Sequence, residues 1–375
     1  MLADLRALVE IESPSDDKAS TDQLAAFLQR FLPDRLDCHV DVIDQPRFGN
    51  HLRVEVGPRG GGKPIVMLGH FDTVWPLGTL ATMPFRVADG RAFGPGAFDM
   101  KAGLIIGIEA LSVLLGSDEL HVPVVFLFTS DEEVGSLSSR PHIEAEAARS
   151  RATLVLEPAA GRSLKTSRKG VGFFQVKVEG LAAHAGSNPE QGTSAIEELA
   201  RLVLDLQGMN DPATGTTVNV GVIRGGTRPN VVSAAASAEV DLRVRTMADA
   251  QRLEELILGL QPHNPRTRVT VSGGINRPPM ERTPGVASMY DLAVKAGREI
   301  GLQVSEASVG GGSDANFVTP LGVPVMDGLG AVGDGAHAVN EHILVESLPF
   351  RSALLASLIR ELQSVDEVGS GDPGS

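Results

Sequence analysis

Short runs of consecutive apolar residues, not alternating ones, mark the first half of the chain. Residues 64–69 (Pro-Ile-Val-Met-Leu-Gly), 122–129 and 152–157 are each bounded by turn-forming or polar residues. Unbroken runs of that length predict strands covered on both faces, as in a parallel sheet. Lys101 to Leu115, rich in Leu, Ile, Val and Ala, lies between the first two and predicts a buried helix. Strand, helix and strand in that order predict an α/β sheet with crossovers. Residues 1–32 read as helical, with Leu24, Phe27, Leu28 and Phe31 at helical spacing.

The pattern changes near residue 168. Val171 to Glu179 alternates as a strand does, and Ile196, Leu199, Ala200, Val203 and Leu206 then form one helical face. Strand-like runs at 216–223 and 233–245, a helix at 247–260 and a strand at 266–272 follow. This β-α-β-β-α-β order predicts a ferredoxin-like module. After Arg277-Pro278-Pro279, helix–strand alternation resumes, with helices near 285–300 and 346–362 and a strand at 323–327. The expected organisation is one domain built from 1–167 and 279–375, interrupted by a second at 168–278. The tail from Val365, rich in Gly, Ser and Asp, is expected to fray.

Composition narrows the field. A chain of 375 residues, 42% apolar and 21% charged, has room for two domains and a large core. A net charge of −14 argues against a nucleic-acid partner, whose phosphates require a basic surface. One cysteine, Cys38, excludes an intrachain disulfide and a thiolate zinc site. No run approaches the length of a membrane span, and Met1–Arg6 lack the basic start of a signal peptide. The expectation is a cytoplasmic protein, or a periplasmic or secreted one had a leader been removed.

The ends of the apolar runs carry the candidate chemistry. His70 and Asp72 follow the first run, Asp131-Glu132-Glu133 the second, and Glu157 ends the third. In open α/β sheets, ligands gather beyond the carboxyl ends of the strands. Carboxylates packed that densely repel unless a cation neutralises them or one takes up a proton. With histidines nearby, they read as a metal site holding more than one ion.

On extended backbone His70 and Asp72 share a face, so the imidazole can bind metal through one nitrogen while a carboxylate holds the other. Alone, His-X-Asp is more often a strand-end turn. Asp99, in Gly94-Pro95-Gly96-Ala97-Phe98-Asp99 ahead of a helix, suits an N-cap; its two oxygens also suit a bridge between two cations. Adjacent on extended backbone, Glu132 and Glu133 point different ways. One can ligate while the other takes a proton from water, the division that metal-assisted hydrolysis requires. Acidic loops are otherwise simply solvated.

His184, among small residues in 180–186, and His337, in Gly333-Asp334-Gly335-Ala336-His337, stand in accessible settings, though loop histidines without a role are commoner. Gly310-Gly311-Gly312-Ser313-Asp314 offers backbone N–H groups to an anion, or forms a flexible turn.

In their order along the chain these segments resemble the aminoacylase/carboxypeptidase family of dizinc metallopeptidases, particularly its glutamate carboxypeptidase (carboxypeptidase G) branch. The matching stretches are Gly69–Val74, Gly94–Lys101, Thr129–Ser136, Leu156–Pro158, Ala183–Gly186, Gly310–Ala315 and Ala336–Glu341. Ala102 departs from the glycine common in the family, and a methyl there is expected to be tolerated.

The resemblance implies a zinc-aminopeptidase-like catalytic domain with a mixed, largely parallel sheet, plus an inserted ferredoxin-like α+β lid or dimerisation domain. It implies two Zn2+ ions, with Co2+ or Mn2+ as substitutes. His70 and His337 would bind one ion each, Asp99 would bridge them, and Glu133 and Glu157 would complete the shells on different ions. Glu132 would be the general base, and Asp72 would orient His70.

His184, Asn219 and Arg243 resemble residues that close over the substrate, with His184 helping to stabilise the oxyanion. Arg243, Asn219 and the N–H groups near Gly311 would bind the substrate's α-carboxylate, and Arg277 an acidic side chain. The implied reaction is hydrolysis of an amide next to a free α-carboxylate, releasing a C-terminal acidic amino acid from a peptide or N-acyl conjugate. A homodimer through the inserted domain and hinge closure are implied as well. Within the family the alternatives are an aminoacylase or a di- or tripeptidase. Outside it stands a non-catalytic metal-binding or regulatory homologue, against which every expected ligand and Glu132 are present.

Overall fold

The three apolar runs form strands Ile65–His70, Val124–Thr129 and Ala152–Val155, in which every residue is buried. They occupy the middle of a six-stranded sheet. Its spatial order is Cys38–Ile43, His51–Val56, Val124–Thr129, Ile65–His70, Ala152–Val155 and Val325–Met326. The first two pairings are antiparallel and the remaining three parallel, so the sheet is mixed and largely parallel. Strands covered on both faces have no solvent side, which is why these runs show no alternation. This computed structural model describes residues 1–60 and 62–364; the tail from Val365 lies outside the described residues.

Helix Ala102–Gly116 is apolar nearly all round and buried along most of its length. It passes close to the chain leaving strand Ala152–Val155 because residue 103 is glycine: a Cβ there would lie 2.0 Å from the Leu156 carbonyl oxygen. Ala102 is fully buried in ordinary right-handed helical geometry (φ −67°, ψ −32°), which a methyl suits.

The single helical stretch expected over 1–32 is two helices, Leu2–Val9 and Lys18–Phe31. Ser13–Ser15 breaks it by lying alongside the chain that follows strand Ile65–His70. Thr73 donates its N–H to the Ser13 carbonyl (2.8 Å), and Ser15 donates its own to the Thr73 carbonyl (3.1 Å). Pro14 between them has no N–H for a helix to use. Asp17 then starts the second helix by accepting the Ser20 N–H at 2.9 Å.

A smaller antiparallel sheet, in the order Gly333–Asp334, His342–Leu344, Arg91–Phe93 and Arg86–Ala88, sets His342 opposite Phe93. All of this belongs to one unit, made of Met1–Ser167, Arg282–Val309 and the chain from Ser313 onward.

Arg168–Glu281 and Gly310–Gly312 make a second unit. Its antiparallel sheet runs Thr217–Gly225, Ala235–Val244, Gly170–Glu179 and Arg268–Arg277. Helices Ala195–Gln207 and Met247–Leu258 cover it with Leu199, Leu202, Leu206, Leu253 and Ile257, packed on Phe174, Val176, Val178, Val240 and Leu242. Ile196, expected on that apolar face, is exposed. Among the described residues, no helix is long and apolar enough to cross a membrane.

Candidate metal centre

Parallel strands share a carboxyl end, so the residues that follow them converge. His70 ends its strand, Glu133 follows Val124–Thr129, and Glu157 follows Ala152–Val155. Asp99 joins them from the loop ahead of helix Ala102–Gly116. Gly96 turns that loop with φ +69°, a left-handed value that costs glycine little, and Asp99 itself is extended (φ −113°, ψ 94°). Asp99 does not cap the helix: Lys101 is the N-cap residue and no side chain makes the cap hydrogen bond. His337 arrives from the loop before strand His342–Leu344, at φ +61°, a conformation uncommon outside glycine.

The five side chains form two groups with one member in common. His70, Asp99 and Glu157 make one, and Asp99, Glu133 and His337 the other; within each, the ligand-capable atoms all lie within 4.8 Å of one another. Asp99 turns a different oxygen to each histidine. Oδ1 is 3.2 Å from His70 Nε2, and Oδ2 is 3.4 Å from His337 Nε2. Glu157 Oε1 lies 3.6 Å from His70 Nε2, and Glu133 Oε1 lies 3.2 Å from His337 Nε2. His70 is buried, whereas His337 is half exposed.

Asp72 holds this arrangement from behind. His70 Nδ1 is 3.0 Å from the Asp72 carbonyl oxygen and 3.4 Å from its Oδ1, which hold the Nδ1 proton and turn Nε2 toward Asp99 and Glu157. The Asp72 carboxylate also accepts the Ser15 hydroxyl at 2.6 Å and the N–H groups of Glu132 and Glu133 at 3.2 Å each.

Residues 132–134 form a 3-10 turn, not the extended segment expected. The cause is Asp131, which is fully buried and accepts the Ser138 N–H (2.6 Å), the Ser138 hydroxyl (2.8 Å) and the Ser139 N–H (3.3 Å). Of the three consecutive acids, one is therefore scaffold. Glu132 stands outside both groups of ligand-capable side chains, partly exposed beside Glu133.

The electrostatics record the crowding of negative charge. Burial works to lower the His70 pKa, but Asp72 and Asp99 outweigh it and hold the imidazole well above its ordinary range. Asp99 and Glu133 push His337 up to about 10. Burial raises Glu133. Burial would also raise Asp99, yet the two imidazoles hold it well below the usual carboxylate range. Three carboxylates thus stabilise positive charge at two imidazole nitrogens. Positive charge at that position is what a bound divalent cation would supply, and His nitrogens with carboxylate oxygens are suitable donors for Zn2+.

Two further residues, given no role by the sequence reasoning, shape the centre. Lys101 is buried and donates its Nζ to the carbonyls of Leu8 (3.0 Å) and Ile11 (2.9 Å); burial lowers its pKa to about 7. Glu341 is fully buried against the loop that carries Asp99.

The remaining sequence candidates lie on the second unit. His184 is exposed, and its Nδ1 accepts the N–H groups of Gly186 (3.1 Å) and Ser187 (3.0 Å), so a neutral ring carries its proton on Nε2. Asn219 lies opposite Asp241 on the neighbouring strand. Arg243 donates Nε (2.9 Å) and Nη2 (2.8 Å) to Asp241. Arg277 is buried at the end of its strand. The Gly311 and Gly312 carbonyls accept from Arg168 Nη1 at 3.1 and 3.0 Å.

An α/β unit that gathers two histidines and three carboxylates at the carboxyl ends of its strands has the make-up of a metal-dependent hydrolase. The chain belongs to the peptidase family M20/M25/M40, whose family model matches residues 66–361. It is 33% identical over 312 residues to carboxypeptidase G2 of Pseudomonas sp. (strain RS-16), covering 80% of this chain and 74% of that protein. It is 30% identical over 326 residues to acetylornithine deacetylase of Myxococcus xanthus, covering 83% of each. The crystal structure of aminopeptidase PepT from Bacillus cereus ATCC 10987 shares the fold, with a TM-score of 0.77 and 24% identity over 97% of this chain and 98% of that one.

Proposed function

We propose that the chain is a two-metal hydrolase of the glutamate carboxypeptidase type, which cleaves an amide next to a free α-carboxylate. The observation that carries this reading is Asp99, whose two oxygens serve two separate histidine–carboxylate groups. His70, Asp99 and Glu157 would hold one Zn2+, and Asp99, Glu133 and His337 the other; Co2+ or Mn2+ suits the same donors. Bound there, a divalent pair would polarise a carbonyl and lower the pKa of water to about 7.

The chain's own residues divide the remaining work. Glu132, outside both groups, is the general base: it takes a proton from water and passes it to the leaving amine. Asp72 orients His70 and the turn bearing Glu132. His184 offers Nε2–H to the oxyanion. Asn219, Arg243 and the backbone near Gly311 are the candidates for the substrate's α-carboxylate, and Arg277 for an acidic side chain. Arg243 already forms a fork on Asp241, so binding a substrate carboxylate requires exchanging that partner.

The substrate class is a small peptide or N-acyl amino acid. Likeness to a carboxypeptidase favours release of a C-terminal residue; likeness to a deacetylase supports, as second reading, an aminoacylase. Homodimerisation through the second unit belongs to the same proposal.

Assaying the ion-loaded protein against folate-like conjugates, acyl-glutamates, other N-acyl amino acids and dipeptides tests the reading. Acyl-glutamates should turn over fastest, and a chelator should abolish turnover until divalent ions are restored. Equal rates on acyl-glutamates and on other acyl amino acids refute the glutamate preference. A protein that holds two ions and cleaves none of these is the regulatory homologue instead.

A further inference from the structure

Glu341 closes the loop that carries His337, and it belongs to neither group of ligand-capable side chains. Its buried carboxylate nevertheless accepts four N–H groups. Oε1 takes those of Phe98 (2.9 Å) and Asp99 (3.0 Å); Oε2 takes that of Gly96 (3.0 Å) and the indole Nε1–H of Trp75 (2.8 Å). A buried carboxylate is costly unless its lone pairs are used, and here both oxygens are doubly occupied.

Strand register explains the meeting. His342 pairs with Phe93, so Glu341 stands where the Asp99 loop begins, and Gly94 donates its N–H to the Glu341 carbonyl at 3.4 Å. Trp75 extends the contact to the chain that follows His70 and Asp72. Three separate stretches, carrying His70, Asp99 and His337, are thus tied to one carboxylate.

We propose that Glu341 is a positioning residue: by gripping the backbone of Asp99 and the adjoining loop, it holds that carboxylate where its two oxygens face His70 and His337. The proposal rests on the ion-pair reading given above. Glutamine has the shape of glutamate but presents an NH2 group to two N–H donors, so Glu341→Gln loses half of the grip. Loss of such an outer partner typically lowers metal affinity roughly 10–100-fold.

The test uses the full chain, wild type and E341Q, with W75F as a milder variant. Ion affinity is read by competition with a chelator, and the magnetic coupling of two bound Co2+ ions by electron paramagnetic resonance. Far-UV circular dichroism reports folding. Wild type should take up two coupled ions; E341Q should fold, bind ions roughly 10–100-fold more weakly and show reduced coupling. W75F should show the same changes to a smaller degree.

A purely structural role would lower thermal stability and leave the coupling unchanged. Wild-type affinity and coupling in E341Q therefore overturn the Glu341 assignment while the ion-pair reading stands. A wild-type chain that takes up fewer than two ions overturns that reading, and this proposal with it. Should E341Q fail to fold, W75F decides: unchanged affinity and coupling there overturn the proposal.

Discussion

Asp72 accepts the backbone N–H of Glu132 at 3.2 Å, so the residue that braces His70 also fixes the turn bearing the proposed general base. Asp72→Asn keeps the volume but turns either an NH2 group or a poorer acceptor toward Ser15, Glu132 and Glu133. A fall of roughly 10–100-fold in kcat/KM is expected. Steady-state kinetics with parallel metal analysis checks it, and an unchanged kcat/KM would remove Asp72 from the mechanism.

Glu132→Ala should keep both ions and lose turnover, because its side chain stands outside both ligand groups. The expected drop in kcat is about 10²–10⁴-fold, the usual worth of a positioned general base. Metal stoichiometry measured alongside kcat separates the two effects. Full activity in this variant would refute the base assignment.

His184→Ala should lower kcat by about 10²–10³-fold with the metal content intact, since the hydrogen bonds to Nδ1 leave Nε2–H as a donor. Ion loss in this variant would make His184 a ligand and end the oxyanion proposal.

Gly103→Ala should destabilise the first unit by about 1–3 kcal/mol, the cost of forcing a methyl into a packed core. The new Cβ would lie 2.0 Å from the Leu156 carbonyl oxygen, and that residue is pinned by its own N–H, donated to the Leu68 carbonyl at 2.9 Å. Urea denaturation gives the stability change. An unchanged midpoint would show that the helix can back away from the strand.

The strand-end candidates were legible in the sequence because apolar runs of that length admit few arrangements. Once Ile65–His70, Val124–Thr129 and Ala152–Val155 are parallel neighbours, whatever follows them must share one edge. What could not be read depends on partners far away in the chain. Asp131 looked like a third acid of the cluster, but its capture of Ser138 and Ser139 turns it into the support of the turn.

Glu341 acquires its place through a register between three-residue strands near residues 92 and 343, too short to leave any periodicity. The break between the first two helices likewise reflects pairing with Thr73, although Pro14 was a visible warning. Arg243's partner was within reach: Asp241 and Arg243, alternate residues on one strand, necessarily share a face.

The amino-terminal stretch is the back wall of the candidate metal centre. Ser13 and Ser15 clasp Phe71, Asp72 and Thr73, while the carbonyls of Leu8 and Ile11 accept from the buried Lys101 Nζ, two residues beyond Asp99. A chain shortened at that end would leave a buried amino group without acceptors and unhook Asp72 from its hydroxyl anchor. Trimming that looks cosmetic on a domain map would therefore register as impaired chemistry.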